Sequence, residues 1–236
     1  MALPIQAAPS YTLTLPISKK VVKYRPFLVK EQRSLLVARE SENTKDIMQA
    51  VIDMISAVTS KTVDANKLPV GDLEYLFMQI RAKSVGETAG ISVACTDKEC
   101  DGDGWGRVEV DLNDVTVEVD EDVDNMIRLN DDLVVEMQYP TVTSVFKVEG
   151  LNEADAIKPI LRGCMVRLFD DENVYEFSEY RDSEIDDFID SLTIDQFEKM
   201  TEFFQNVPTL KHEVKFTCSK CKKENTRVLE GLNSFF

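Results

Sequence analysis

The stretch Cys218-Ser-Lys-Cys221, near the C-terminus, decides how the rest of the chain has to fold. It is a C-x-x-C motif between His212–Phe216 and Thr226–Leu229, which the residue pattern predicts to be the two strands of a hairpin. A second cysteine pair, Cys95 and Cys100, lies far upstream, and Cys218 comes 118 positions after Cys100. If both pairs hold one ion, the middle of the chain must fold against its end.

The spacing within each pair favours zinc. Zn²⁺ prefers four thiolates in a tetrahedron, and a short C-x(2–4)-C spacing presents two of them from one turn. In an ordinary zinc ribbon the two cysteine pairs are about 15–20 residues apart. Here Cys218 comes 118 positions after Cys100, so the two pairs lie on separate parts of the chain. We therefore predict a split structural Zn²⁺ site on Cys95, Cys100, Cys218 and Cys221.

Two other interpretations of the cysteines stay open at this point. Cys218 and Cys221 could be free thiols, with the upstream pair a coincidence. Redox chemistry is less favoured, because a redox C-x-x-C starts a helix and a hairpin is predicted here. The fifth cysteine, Cys164, lies in an apolar run that is typical of a core, while His212 is the single histidine and an alternative ligand.

No catalytic pattern accompanies the cysteines. Asp101–Gly106 matches three positions of a calcium loop, but Trp105 and Leu112 stand where ligands are required, so we reject it. With one histidine, any His-based triad would have to include His212. The sequence also lacks a P-loop and a dinucleotide fingerprint, and we predict that the protein is not an enzyme.

Length and composition limit the class of protein. The chain has 236 residues, 43% of them hydrophobic, enough for one large or two small packed domains. No apolar run approaches the roughly 18 residues that span a bilayer, so we expect no membrane partner. Met1–Gln6 does not resemble a signal peptide, and we expect a reducing cytoplasm, where cysteines serve as thiols or metal ligands.

The charge is unevenly distributed. The formal net charge is −16, which makes nucleic acid an unlikely partner. Residues 1–40 carry seven Lys/Arg against two Glu, and residues 101–132 carry twelve Asp/Glu against two Arg. Residues 211–227 are basic again. Basic ends and an acidic middle could pair with each other, dock a partner, or be solvated faces of both signs.

The hydrophobic periodicity predicts an α+β fold with small antiparallel sheets, N-terminal and acidic central, several amphipathic helices, and a split zinc-ribbon-like knuckle joining residues 91–110 to 211–230. Two predictions of local structure are specific. Ser34–Ala38 could be a strand or a helix, and a third N-terminal strand is favoured. Gly102–Gly106 is predicted as a tight turn around Trp105. Helices are predicted with caps at Thr44, Asn152 and Thr193. The second of them covers Glu153–Leu161, and Pro159 is expected to kink or shorten it unless it falls in the first turn.

We expect four segments along the chain. Residues 1–90 hold N-terminal strands and two helices, residues 91–140 an acidic β segment with the first cysteine loop, and residues 141–210 a helical segment. Residues 211–236 form the C-x-x-C hairpin, which packs with residues 91–110.

Several stretches together resemble the T4-type baseplate hub assembly proteins of contractile-tailed bacteriophages. The most specific are Asp72-Leu-Glu-Tyr-Leu-Phe77 and Ile80-Arg-Ala-Lys-Ser-Val-Gly-Glu87. The others, in order, are Tyr24–Glu31, Leu35–Ala38, Phe188–Thr193, Phe203-Phe204, Pro208, Phe216–Cys221 and Gly231–Phe236.

This resemblance implies a non-enzymatic protein that helps to build the central hub of the tail baseplate by binding hub or tape-measure proteins. It implies the host cytoplasm as the location during assembly, and it leaves two alternatives open afterwards: the protein stays in the virion tail baseplate, or it leaves as an assembly chaperone. It carries over no catalytic residues. The alternative is a zinc-ribbon regulator that contacts nucleic acid through Lys211–Arg227. Phe235-Phe236 is either an apolar docking peg or part of its own domain's packing.

Overall fold

The computed structural model describes residues 8–41, 43–97, 100, 104–120 and 122–235. They form two compact units. Unit 1 combines three separate parts of the chain, Met1–Ala65, Gly71–Glu118 and Thr209–Phe236. Unit 2 comprises Asn66–Val70 and Val119–Pro208.

The described residues contain eleven strands and seven α-helices. The strands are β1 (Tyr11–Thr14), β2 (Val21–Tyr24), β3 (Thr88–Ala94), β4 (Trp105–Asp111), β5 (Thr116–Val117), β6 (Met126–Arg128), β7 (Val134–Met137), β8 (Met165–Phe169), β9 (Val174–Glu176), β10 (Leu210–Thr217) and β11 (Glu224–Glu230). The helices are α1 (Val29–Glu40), α2 (Thr44–Val58), α3 (Val70–Val85), α4 (Val142–Val148), α5 (Glu153–Cys164), α6 (Asp182–Ser191) and α7 (Ile194–Glu202).

The described residues of unit 1 form three antiparallel sheets. They are the β1-β2 pair, the β3-β4 pair and a three-stranded sheet in the order β11-β10-β5. The strands predicted between residues 91 and 140 therefore enter different sheets, because β5 pairs with β10 and β6 and β7 belong to unit 2. Since β5 and β10 are far apart in sequence, their pairing joins two of the three chain parts of this unit.

Helix α3 organises unit 1 through carboxylates in its first turns. Asp72 is fully buried and accepts the backbone N–H groups of Ile17 and Ser18 at 2.8 and 2.9 Å. Glu74 accepts those of Leu210 at 3.4 Å and Leu232 at 3.0 Å. The acidic residues of the most specific resembling stretch thus anchor the N-terminal turn and the C-terminal segment.

Unit 2 is a four-stranded antiparallel sheet, β6-β7-β8-β9, with helices packed on an apolar cluster. The turn between β8 and β9 is closed by Asp170, which accepts the backbone N–H of Glu172 and Asn173. The buried members of the cluster are Leu129, Val135, Met137, Leu161, Cys164, Met165, Phe177, Ile185, Ile189, Met200 and Phe203.

The predicted fold class, an α+β chain with small antiparallel sheets and amphipathic helices, is confirmed. The capping box at Thr193 is also confirmed, since Thr193 and Gln196 each accept the backbone N–H of the other. Asn152 caps α5 as predicted. That helix contains Pro159 and continues past its predicted end at Leu161 to Cys164.

Three local predictions are wrong. Ser34–Ala38 is part of α1, whose start is fixed by Glu31 accepting the Leu28 backbone N–H at 2.7 Å. The cap of α2 is Asn43, whose side-chain oxygen accepts the Lys45 N–H at 2.9 Å, and Thr44 is the first residue of the helix.

The predicted turn at Gly102–Gly106 is the third. Trp105 and Gly106 lie in β4, paired with Ala94 and Val93, and Gly102 lies outside the described residues. Within the described residues, no helix is both long and apolar enough to cross a bilayer.

Candidate metal centre

Two hairpins of unit 1 present the four cysteines. Cys95 follows β3 directly, and its N–H donates to the Gly104 carbonyl at 2.8 Å as the β3-β4 ladder closes. Cys218 follows β10, and its N–H donates to Lys223 O at 3.0 Å. Both pairs thus begin where a strand ends, so the hairpin backbones fix the positions of the thiols.

The four sulfur atoms form a compact cluster. All four Sγ atoms lie within 4.8 Å of one another. The Sγ atoms of Cys95 and Cys221 are 3.8 Å apart, and those of Cys100 and Cys218 are 3.7 Å apart. A tetrahedron with metal–sulfur bonds of about 2.3 Å has edges of about 3.8 Å. The two shortest separations therefore suit a tetrahedral metal ion, and each joins one loop to the other.

Backbone N–H groups are directed at the sulfur of Cys218. The N–H of Cys221 and that of Lys220, 3.4 Å from Sγ, lower the pKa of the Cys218 thiol to about 6. Burial and the neighbouring Cys218 sulfur raise the pKa of Cys100 to about 12. Cys218 therefore loses its proton readily, whereas a bound metal ion would have to displace the proton of Cys100.

A tight turn shapes the C-x-x-C loop. Lys222 has a φ of 58°, in the left-handed region, and its N–H donates to the Cys218 carbonyl at 3.1 Å. The following residue, Lys223, forms an ion pair of 2.5 Å with Asp97 of the other cysteine loop. The turn therefore directs the backbone N–H of Lys222 towards Cys218 and the side chain of Lys223 towards Asp97.

Asn225 ties the two loops together. This buried side chain in β11 accepts Thr96 N at 3.1 Å and Thr96 Oγ1 at 2.9 Å, and its amide donates to Lys223 O at 2.9 Å. Ser219 N adds a bond of 2.8 Å to Trp105 O. The cysteines are therefore held together by protein contacts as well as by any ion they share.

Gly104 is required by the closeness of the sulfurs. A Cβ built there would overlap Cys218 Sγ, lie 2.5 Å from Cys100 Sγ and lie 3.2 Å from Cys95 Cβ. At Gly106, a Cβ would overlap the ring of Phe216 in β10. Both glycines let β4 approach the C-terminal hairpin, which closes the cluster.

The structure brings together all four cysteines predicted from spacing. It leaves the other candidates apart. Cys164 is fully buried in the core of unit 2, where burial raises the pKa of its thiol to about 12. His212 pairs with Leu229 in the β10-β11 ladder and is not part of the four-thiol cluster. Asp101 and Asp103, from the rejected calcium loop, lie outside the described residues.

The C-x-x-C motif occupies a hairpin turn, as predicted, and not the start of a helix. Sequence reasoning missed the supporting roles of Gly104, Asn225 and Lys222. A glycine shortly after the second cysteine was visible in the sequence, but its contact partner was not. Nothing in the sequence indicated the buried amide, because asparagine is equally common in exposed turns.

Fold and site together define an α+β protein whose first unit carries a four-thiol cluster able to hold a metal ion. Residues 8–236 match the family described as T4 bacteriophage base plate protein, and the chain belongs to that family. Comparison with curated proteins gave no match, and neither did comparison with solved structures. Membership indicates a structural role in the phage tail, with other phage proteins as partners.

Proposed function

We propose that this protein helps to build the central hub of the phage tail baseplate by binding hub or tape-measure proteins. The observation that carries the proposal is the family match, which extends over nearly the whole chain. The role is non-enzymatic, exercised in the host cytoplasm during assembly and in the tail baseplate afterwards. The protein acts through the surfaces that bind these partners, and its fold keeps those surfaces in position.

We also propose that Cys95, Cys100, Cys218 and Cys221 bind one Zn²⁺ ion with a structural role. The sulfur separations of 3.7 and 3.8 Å support this proposal, as do the backbone N–H groups directed at Cys218. Four thiolates leave no open coordination position for a substrate, which is typical of a structural zinc site. The ion would join residues 91–110 to residues 211–230.

Co-expression tests the partner proposal. The tagged full-length protein is produced together with the hub and tape-measure proteins of the same phage and then purified. We expect at least one of them to co-purify in a fixed ratio. An unrelated tagged protein of similar negative charge serves as the control for charge-driven adsorption. Recovery of neither protein, from a well-folded bait, would contradict the proposal.

Elemental mass spectrometry tests the metal proposal. We expect one equivalent of zinc in the purified protein and less than a tenth of that in a Cys218→Ser variant. Cys164→Ala is the matched control, because it removes a buried cysteine that lies outside the cluster. Full metal content in Cys218→Ser, or a fully stable protein without metal, would refute the assignment.

A further inference from the structure

One cleft of unit 1 lies between the outer edges of two sheets. It has a volume of about 770 Å³ and is lined by six consecutive residues of β3, Ala89–Ala94, and four consecutive residues of β11, Arg227–Glu230. In the described part of the chain, β3 pairs only with β4, and β11 pairs only with β10. The cleft is therefore bounded by one edge of β3 and one edge of β11, and neither edge is paired with another described strand.

The ladder at its two ends shows which backbone groups of β3 face the cleft. Leu112 N donates to Glu87 O at 2.7 Å, and Cys95 N donates to Gly104 O at 2.8 Å. Backbone groups alternate in direction along an antiparallel strand. Residues 89, 91 and 93 therefore bond to β4, and the outward groups belong to Thr88, Gly90, Ser92 and Ala94.

The residues of β3 itself do not protect this edge against further pairing. Natural edge strands are shielded by charged residues, prolines or bulges. The seven residues of β3, TAGISVA, include no charge and no proline, and the pairing with β4 is continuous. All four residues with outward backbone groups are small and exposed. β3 thus has the properties of a strand that accepts another strand.

The opposite edge of the cleft is protected. β11 carries Glu224, Arg227 and Glu230 within seven residues. The backbone of Glu230 is occupied by Ser234, whose hydroxyl lies 2.6 Å from its carbonyl and 3.3 Å from its N–H. An added strand would therefore pair with β3 and have β11 as the neighbouring wall.

The side chains around the cleft set the charge of its occupant. Arg39, Arg81 and Arg227 line it, against one acidic residue, Glu230. Arg227 reaches across to the Ala94 carbonyl at 3.4 Å, and the guanidinium of Arg107 lies 3.0 Å from the Cβ position of Gly90. In a chain of net charge −16, this is a local concentration of cations, which favours a partner with carboxylates.

We propose that the outer edge of β3 is a docking site for an extended, acidic segment of a partner protein, which adds to the sheet as a strand. Backbone hydrogen bonds to Thr88, Gly90, Ser92 and Ala94 would supply affinity, and the arginines would select acidic side chains. The inference rests on the proposed function for the source of this partner. Its test uses the isolated protein and synthetic peptides, so it can fail while co-purification succeeds, and the reverse.

Amide hydrogen exchange of the full-length protein tests the site. The probe is an eight-residue peptide of alternating valine and glutamate, blocked at both ends. Its binding should slow exchange at Thr88, Gly90, Ser92 and Ala94 and leave the intervening amides, already bonded to β4, almost unchanged. The same peptide with lysine for glutamate should bind at least about tenfold more weakly. Equal binding of both peptides, or protection without alternation, overturns the proposal.

Ser92→Pro removes one outward N–H without removing a bond to β4. We expect it to weaken peptide binding at least about tenfold, while Ser92→Ala, which keeps the N–H, binds like the wild type. If Ser92→Pro does not fold, Arg227→Glu provides a second test and should weaken binding of the acidic peptide. Unchanged binding in both variants overturns the proposal. A dimer by ultracentrifugation that forms through β3, without peptide binding, would assign the edge to a second copy of the chain and also overturn it.

Discussion

At the scale of single residues, the metal centre depends on atoms that the cysteine spacing does not specify. The spacing identified the four cysteines whose sulfur atoms cluster, because short C-x(2–4)-C loops are recognisable without a structure. It could not identify Gly104, whose importance comes from an approach of Cys100 and Cys218 that only the folded hairpins create. Asn225 was equally hidden, since its partner Thr96 is distant in sequence.

A substitution at Gly104 tests this packing. In Gly104→Ala, the new Cβ would lie 2.5 Å from Cys100 Sγ, so the sulfurs must move apart and the tetrahedral geometry is lost. We expect a loss of bound metal and a free energy of unfolding lower by roughly 1–3 kcal/mol from overpacking alone. Elemental mass spectrometry and denaturant titration measure the two effects.

Gly90→Ala on the same hairpin is the matched control for Gly104→Ala. The atoms nearest to its Cβ would be those of the flexible guanidinium end of Arg107, at 3.0 Å, which can shift. We expect this variant to keep its metal. Equal metal content and equal stability in the two variants would show that the close contact at Gly104 is unimportant.

At the scale of elements, the outcome for α1 shows where sequence periodicity stops being informative. The run Leu35-Leu-Val-Ala38 is apolar on all sides and does not distinguish a strand from a helix. The local start signal of α1 is Glu31, which accepts the Leu28 N–H at 2.7 Å and a hydrogen bond from Arg25 at 2.9 Å. Elements with clear caps, such as α7, were predictable because their start signals are local.

Helix α3 gives a prediction about pH through Glu74. Burial, only partly offset by the N–H groups of Leu232 and Leu210, raises the pKa of this carboxyl above 4.5. A raised pKa in the folded state contributes stability that is fully present below the unfolded pKa and is lost as the pH rises through the folded pKa. The stability of the wild type relative to Glu74→Gln should therefore fall as the pH rises above 4.5.

The size of that fall follows from linkage. It amounts to about 1.4 kcal/mol for each unit by which the folded pKa exceeds the unfolded one. Urea titrations of both proteins between acid and neutral pH measure it. Glu118→Gln, on the exposed surface, corrects for the loss of one negative charge. A stability difference that rises with pH, or stays constant, would contradict a raised pKa for Glu74.

At the scale of the whole molecule, the candidate metal centre matters because it joins parts of unit 1 that are far apart in sequence. Unit 1 is assembled from three parts, and residues 119–208 of unit 2 come between the second part and the third. The two cysteine pairs lie on either side of residues 119–208, so the sequence alone indicated that the parts of the chain before and after this stretch meet. It could not predict the pairing of β5 with β10, which depends on contacts distant in sequence. The division into four segments stays a prediction.

Removal of the metal should therefore loosen one unit and leave the other intact. A bound ion that dissociates on unfolding stabilises the folded protein by its binding free energy, so a chelator withdraws that energy only where the ligands lie. Hydrogen exchange of the full chain, with and without chelator, measures this. We expect amides of β4 and β10 to exchange at least about 100-fold faster, which corresponds to about 2.7 kcal/mol.

Unit 2 provides the internal control for chelation, because amides of β7 and β8 belong to a separate sheet with its own apolar cluster. Their exchange should change by less than a factor of two. Equal acceleration in both units would mean that the ion, or the chelator, acts on the chain as a whole. No acceleration in either unit would mean that Asn225, Ser219 and the strand ladders hold the loops together without a metal. Faster exchange in unit 1 alone would show that the metal-bound cluster stabilises this unit by holding together chain segments that are distant in sequence.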